Sequence, residues 1–224
     1  MNKNKIFIAC DTKNIQTVKK IIKQTQNSEL NIGYKFGLEF LNSKRGREFV
    51  SKLKNRITFG DYKLADIPNT CASTIKAVKD LKFNYITIHI NSGYEALKAA
   101  KVVAGKTRLV GVSVLTSLDD KSLKEIGYNR KVEKIVLQQA KLARKAKLDA
   151  IVCSAHELRS VRKIFKGEII TPGIRLNSKL NDQKRVMSPK KAVTMGSDWL
   201  VIGRSITSGN IKRNMKNLID HLLK

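Results

Sequence analysis

Three charged side chains of alternating sign, Asp61, Lys63 and Asp66, stand close together in the stretch GDYKLADIPNT at 60–70. Exposed ion pairs contribute little to stability, so charges spaced in this way are most often ordinary surface groups. In a cleft of low dielectric the same charges must be paired, and pairing keeps the lysine protonated and the carboxylates ionised. A protonated lysine beside a carboxylate can stabilise a carbanion and deliver a proton to it.

Short apolar runs rich in β-branched residues alternate along the chain with stretches of helical periodicity. The apolar runs are KIFIACD (5–11), NIGYKFG (31–37), RITFGDYK (56–63), YITIHI (85–90), RLVGVSVL (108–115), DAIVCS (149–154), EIITPG (168–173) and WLVIG (199–203). Helical periodicity is found at 14–24, 74–81, 94–103, 131–147, 189–196 and 211–223. Strands that are apolar on both faces and alternate with helices indicate a parallel sheet covered by helices. The pattern predicts a single (β/α)8 TIM barrel over residues 1–224, with an open doubly wound sheet as the alternative.

Charged or hydrogen-bonding residues follow the predicted strands at their C-terminal ends, where the catalytic groups of this fold lie. They are Asp11, Lys35, Asp61, Lys63, His89, Thr116, Ser117, Arg175, Gly203 and Arg204. A solvated surface would carry such groups on helices and at both ends of the sheet. Their position therefore favours an active site over surface charge or a buried ion-pair network. We interpret His89 as a hydrogen-bonded structural residue.

The last two predicted strands end in segments that contain a glycine and then an arginine. These segments are TPGIR (171–175) and VIGRSIT (201–207), and DQKR (182–185) lies between them. Loops after the seventh and eighth strands of such barrels frequently bind phosphate, because glycine lets backbone N–H groups approach the oxygens and arginine adds charge-assisted hydrogen bonds. The two segments together predict a phosphate site.

The chain is strongly basic, with 45 lysines and arginines against 18 acidic residues and a net charge of +27. Such a charge attracts any polyanion and would also steer a small anionic substrate. The lysines are scattered along helical faces, without the aromatic interleaving or arginine-rich tracts of specific nucleic-acid readers. We therefore expect a solvated surface and no specific nucleic-acid partner, and a nucleic-acid-binding protein is the alternative from another functional class.

The apolar runs and the cysteines indicate the environment of the protein. No run is long enough to span a bilayer, so we expect no membrane association. Cys10, Cys71 and Cys153 lie in apolar segments and lack metal-ligand spacing. Reduced core cysteines of this kind are typical of a cytoplasmic protein, and a structural metal is not expected.

GDYKLADIPNT resembles the DxKxxDIPNT signature of the orotidine 5'-phosphate decarboxylase family. The resemblance continues, in the family's order, through ACD, GYKFGLEF, ITIHINSG, VSVLTS, TPGIR, NDQKRVMSP and VIGRSIT, and so covers essentially the whole chain. The DxKxxD part alone is shared with Mg²⁺-dependent phosphosugar decarboxylases and synthases of the same barrel. The continuation IPNT distinguishes this chain from them, although a sister enzyme of that kind is the second alternative.

The resemblance implies decarboxylation of orotidine 5'-monophosphate to uridine 5'-monophosphate (UMP), the last step of pyrimidine biosynthesis, without a metal or organic cofactor. Lys63, Asp61, Asp66 and Lys35 would form the catalytic array. Within it, Lys63 would protonate C6 of the carbanion and Asp61 would face the departing carboxylate. Lys35, together with Asp11, would contact the ribose hydroxyls.

The resemblance also implies how the rest of the substrate is bound. Asp66, Ile67 and Thr70 would reach across the interface of a homodimer into the partner's active site. Thr116 would face the pyrimidine. The phosphate would be held by Arg175, Gln183, Gly203 and Arg204.

Overall fold

The computed structural model describes residues 3–176 and 186–223, and within them eight parallel strands form a closed barrel. The strands are β1 (Lys5–Ala9), β2 (Asn31–Phe36), β3 (Ile57–Leu64), β4 (Tyr85–His89), β5 (Arg108–Val112), β6 (Ala150–Val152), β7 (Glu168–Thr171) and β8 (Trp199–Ile202). Each strand pairs with the next in sequence, and β8 pairs with β1. The predicted (β/α)8 barrel is confirmed, and the open sheet is excluded.

Helices follow the strands and cover the outside of the barrel. They are α1 (Ile15–Thr25), α2 (Leu38–Leu41), α3 (Gly46–Ser51), α4 (Pro68–Ala77), α5 (Gly93–Ala104), α6 (Asp120–Glu125), α7 (Val132–Lys145), α8 (Leu158–Ile164), α9 (Pro189–Thr194), α10 (Arg204–Thr207) and α11 (Ile211–Leu223). Helix α1 buries Val18, Ile21 and Ile22, whose spacing places them on one face. Within the described ranges, no helix has the length and apolar character needed to cross a membrane.

Helix α4 begins at Pro68, although apolar periodicity predicted a helix only from residue 74. Proline suits the first turn of a helix, because its fixed φ is helical and the N–H that it lacks would have no partner there. The next residues, Asn69 and Thr70, are polar and exposed, so they add nothing to an apolar period.

Every strand except β3 ends one to three residues before the end of the apolar run that predicted it. Strand β5 ends at Val112 rather than 115, and β6 ends at Val152 rather than 154. One more backbone hydrogen bond to the next strand follows each end, from Ser113 N to Val152 O and from Cys153 N to Ile170 O. Leu115 and Ser154, farther along, line the cavity described below. The apolar character of these extensions comes from lining that cavity.

The interior of the barrel is filled by side chains. They form a buried cluster of Phe7, Phe59, Tyr85, Val110, Ala150, Ile170 and Trp199. The rings of Phe7 and Trp199 stack with their centroids 4.0 Å apart. Gly33 on β2 makes room for this stack, because a Cβ there would lie 2.6 Å from Cε1 of Phe7. The barrel interior is therefore a packed core, and the cavity described below lies at the C-terminal ends of the strands.

The N-terminal end of the barrel is closed by hydrogen bonds to one carboxylate, that of Glu168. Its Oε1 accepts from Lys5 Nζ at 3.1 Å and from Trp199 Nε1 at 3.2 Å. Its Oε2 accepts from Tyr85 OH at 2.8 Å and from Arg108 at 2.6 Å. Each of these five residues is the first of its strand. Burial opposes the charge of Glu168, but the donors outweigh burial and lower the pKa of the carboxyl.

Candidate active site

A cavity of about 500 Å³ opens at the C-terminal ends of the strands. Its apolar walls include Phe59, Val112, Val152 and Val201. The predicted site residues that line it are Asp11, Lys35, Asp61, Lys63, Thr116, Arg175, Gly203 and Arg204. The structure therefore brings residues from β2 and β3 and from the segments after β1, β5, β7 and β8 to one cavity.

Four of these charged side chains form a continuous chain of ion pairs. Lys63 Nζ lies 2.6 Å from Asp61 Oδ2, and Lys35 Nζ lies 3.2 Å from the same oxygen. Lys35 Nζ also donates to Asp11 Oδ1 at 3.0 Å. The sign of the charge alternates along Lys63, Asp61, Lys35 and Asp11, so each ammonium group has a carboxylate neighbour.

Burial and charge act in opposite directions on the two central members of this chain. Burial disfavours the ionised form of Asp61, but the ammonium groups of Lys35 and Lys63 outweigh burial and lower the pKa of the carboxyl. Burial likewise disfavours the charge of Lys35, but the carboxylates of Asp61 and Asp11 outweigh it and raise the pKa of the amine. Both groups are therefore charged at neutral pH.

Lys63 has an unusual backbone conformation, with φ at +49°. A side chain other than glycine rarely adopts this left-handed region, and doing so costs about 1 to 3 kcal/mol. The residue lies where the register between β3 and β4 shifts, between Gly60 and Leu64. An irregular ladder of this kind re-aims a side chain, and the side chain of Lys63 lines the cavity beside Asp61.

Thr87 is a part of this arrangement that the sequence analysis did not identify. Its hydroxyl donates to Asp61 Oδ1 at 3.1 Å and accepts from the backbone N–H of Lys63 at 2.7 Å. The alternation along β4 could have indicated this role. Tyr85, Thr87 and His89 are two residues apart and therefore lie on one face of the strand, and Tyr85 points into the barrel. By residue type alone, a threonine in a strand is not distinguished from any other β-branched residue that favours strands.

The residues predicted to bind phosphate lie on one side of the cavity. Arg175 follows β7 and is buried, whereas Arg204 opens α10 directly after β8 and is exposed. Gly203 directly precedes Arg204. A Cβ atom built on Gly203 would lie 3.6 Å from its nearest neighbour, the Cβ atom of Ala9. Gln183 lies outside the described residues.

Asp66, Ile67 and Thr70 do not line this cavity, in contrast to the other predicted site residues that the structure describes. All three are exposed on the single chain, and 65% of Ile67 is accessible. They lie around the start of α4 and follow Lys63 in the sequence.

His89 and the three cysteines are not members of the chain of ion pairs. His89 is half-buried at the end of β4, and burial, followed by the charge of Lys63, lowers its pKa. Cys10, Cys71 and Cys153 are buried thiols outside any disulfide, as predicted. Burial, followed by the charge of Asp11, raises the pKa of Cys10 to about 12. Among the described residues, no group of three or more His, Cys, Asp or Glu side chains could hold a metal ion.

Comparison with known sequences gives one consistent result. The family model for the orotidine 5'-phosphate decarboxylase / HUMPS family matches residues 4–214. A protein of Wolbachia sp. subsp. Brugia malayi named orotidine 5'-phosphate decarboxylase is 42% identical, over 96% of this chain and 97% of its own. One of the same name from Sphingopyxis alaskensis is 40% identical, over 92% of each chain. These matches confirm the resemblance drawn from the motifs.

Solved structures agree with the sequence comparison. The orotidine 5'-phosphate decarboxylase of Lactobacillus acidophilus superposes with a TM-score of 0.83 at 28% identity, over 99% of this chain and 100% of the other. The orotidine 5'-monophosphate decarboxylase of Methanocaldococcus jannaschii, solved with the inhibitor BMP, gives a TM-score of 0.79 over 100% of both chains. At 23% identity, the second likeness concerns the fold alone.

Proposed function

The chain belongs to the orotidine 5'-phosphate decarboxylase / HUMPS family, and from this membership we propose that it converts orotidine 5'-monophosphate to UMP and CO₂. The relatives that carry the decarboxylase name match it over nearly their whole length. In this proposal residues 1–224 act as one catalytic domain. The observation that supports it best is a single carboxylate oxygen, Asp61 Oδ2, contacted by two lysines on the wall of the cavity.

The substrate carboxylate would lie against the Asp61 carboxylate, which is held ionised by its lysine neighbours. Two negative charges in a partly buried site repel each other, and the repulsion disappears when the substrate carboxylate leaves as neutral CO₂. Lys63 stays cationic beside the carbon from which CO₂ departs. Its charge would stabilise the electron pair that remains on C6.

The chemical step balances without a cofactor. The bond between C6 and the carboxylate carbon breaks, its electron pair stays on C6, and CO₂ is released. An N–H of the Lys63 ammonium group then gives its proton to C6, and the resulting amine takes a new proton from solvent. Lys63 would be the donor, since it lines the cavity and its Nζ contacts Asp61.

The rest of the substrate would be bound along the cavity by groups with matching chemistry. Asp11 and Lys35, already hydrogen-bonded to each other, would contact the ribose hydroxyls. Thr116 would face the pyrimidine. Arg175 and Arg204 would bind the phosphate, together with Gly203 and with Gln183.

We also propose a two-fold homodimer with shared active sites. Asp66, Ile67 and Thr70 are exposed and are not among the residues that line the cavity of their own chain. In a two-fold interface the same patch of each subunit meets its partner, so one set of residues can complete both sites. Asp66 would then act in the site whose Lys63 belongs to the other subunit.

The function is tested by following the loss of orotidine 5'-monophosphate absorbance, with and without EDTA. Turnover that persists in EDTA is expected. Loss of turnover in EDTA would favour a Mg²⁺-dependent phosphosugar enzyme of the same barrel. Binding to RNA or DNA that weakens steeply with salt, without turnover, would favour the nucleic-acid alternative instead.

A further inference from the structure

Strands β3 and β4 do not match residue for residue at the catalytic end of the barrel. Gly60 is paired with Ile86 and Leu64 with Ile88. The three residues at 61–63 therefore stand opposite the single residue Thr87. Extra residues on one strand leave ladder groups without a backbone partner, and a buried N–H without a partner is unfavourable.

The Thr87 hydroxyl takes the place of the missing backbone partner. It accepts from the N–H of Lys63 at 2.7 Å and donates to Asp61 Oδ1 at 3.1 Å. One hydroxyl carries one hydrogen and two lone pairs, so it can make both bonds at once. The residue is completely buried, so water cannot replace these bonds without a rearrangement.

We propose that Thr87 is a positioning residue that fixes the proton donor and its carboxylate partner relative to each other. The bond to the N–H of Lys63 holds the left-handed backbone turn from which that side chain extends. The bond to Oδ1 of Asp61 orients the carboxylate so that Oδ2 faces both lysines. This inference rests on the proposed decarboxylase function.

Threonine suits this position for two physical reasons. A β-branched residue fits a strand and restricts χ1, so the hydroxyl is held toward β3 with little loss of entropy. The hydroxyl is also short, and it reaches two groups on the neighbouring strand without entering the cavity. Valine keeps the shape and loses both bonds, whereas serine keeps both bonds and loses the methyl group.

The test uses two pairwise comparisons and one control variant. Thr87→Val is compared with wild type, and Thr87→Ser is compared with Thr87→Ala. The second pair differs only by the hydroxyl and places no methyl group against Asp61. The control is Thr25→Val, which removes another fully buried hydroxyl, one that donates to the Ile21 carbonyl and contacts Tyr34 OH far from the site.

A positioning role predicts a loss of kcat without a matching loss of ligand affinity. For Thr87→Val and Thr87→Ala we expect kcat to fall about 10- to 100-fold, while the calorimetric Kd for UMP stays within about two-fold of wild type. Thr87→Ser should recover kcat to within about three-fold of wild type. Thr25→Val should lower Tm and leave kcat unchanged.

Two results would overturn the inference. One is a kcat in Thr87→Val and Thr87→Ala equal to that of wild type. The other is a kcat in Thr87→Ser as low as that in Thr87→Ala, since the hydroxyl would then be irrelevant. If Thr87→Val does not fold, the serine and alanine pair decides the question. Failure of the proposed function is distinct, because wild type itself would then not turn over orotidine 5'-monophosphate.

Discussion

The ammonium group of Lys63 lies 2.6 Å from Oδ2 of Asp61, on the wall of a cavity at the C-terminal end of the barrel. The contact joins a cation that can donate a proton to an anion that can repel a carboxylate. Lys35 contacts the same oxygen at 3.2 Å and helps to keep that carboxylate ionised. In the proposed decarboxylation these two effects act side by side.

Arg204→Ala tests the proposed phosphate site. Loss of a charge-assisted contact to the phosphate in a closed site should cost about 2 to 4 kcal/mol in kcat/KM, or roughly 30- to 1000-fold. Part of the loss should appear in kcat, because binding energy from a phosphate remote from the reacting carbon can lower the barrier of the chemical step. Steady-state kinetics with orotidine 5'-monophosphate give both parameters.

Arg213→Ala is the matched control for the phosphate prediction. Arg213 is an exposed arginine of α11, so its removal lowers the net charge equally without touching the cavity. Its kcat/KM should stay near that of wild type. Equal losses in the two variants would mean that the effect is general steering by charge, and Arg204 would have no place in the phosphate site.

Glu168→Gln tests the closed N-terminal end of the barrel. The change weakens four hydrogen bonds to a carboxylate, so the free energy of unfolding should fall by about 1 to 3 kcal/mol. Because Glu168 lies at the opposite end from the cavity, kcat should not change. Denaturant unfolding and steady-state kinetics measure the two quantities.

The stability lost in Glu168→Gln should also depend on pH. The folded-state pKa of Glu168 lies below its ordinary value of 4.5, so the ionised carboxylate stabilises the fold above about pH 4.5. That contribution is lost as the pH falls through the folded pKa. The difference between wild type and variant should therefore be constant near neutral pH and shrink in acid. A difference that grows in acid would contradict the assigned network.

Mixing two inactive variants tests the shared active sites. Lys63→Ala and Asp66→Ala homodimers should each be nearly inactive, because every site lacks one member of the array. After subunit exchange, a hybrid dimer has one site with both lesions and one with neither. Random pairing makes about half of the dimers hybrid, so activity should approach about a quarter of wild type.

The control for this experiment places both lesions in one chain. When the Lys63→Ala/Asp66→Ala chain exchanges with an equal amount of wild type, both sites of each hybrid carry one lesion. Activity should fall during exchange from about half to about a quarter of the all-wild-type value. If exchange occurs and the two single variants recover nothing, Asp66 serves its own subunit and the interface proposal fails.

The location of the site could be predicted because strand ends in a parallel barrel share one rim. Asp11, Lys35 and Arg204 each follow an apolar run, and closing the barrel brings their side chains to one cavity. The motif GDYKLADIPNT added Asp61 and Lys63. None of these steps needed a distance, since the topology alone brings strand ends together.

The role of Thr87 could not be predicted, because it depends on register. Only the observed pairing of Gly60 with Ile86 and Leu64 with Ile88 puts Thr87 opposite Lys63. The left-handed backbone of Lys63 could not be predicted either, because lysine has no preference for that conformation. Helix α4 begins before the predicted start at residue 74, because its first turn, which opens with Pro68, shows no apolar periodicity. Local irregularities are set by tertiary packing, which a periodic pattern does not contain.

The most direct test of the catalytic array is the turnover of Lys63→Ala on orotidine 5'-monophosphate, measured beside UMP binding. Lys82→Ala is the matched control, because Lys82 is an exposed lysine with the same φ of +49° as Lys63. Removing the proton donor should lower kcat by about 1000-fold or more, with UMP still bound, while the control keeps wild-type kcat. A near-normal kcat in Lys63→Ala would contradict the account.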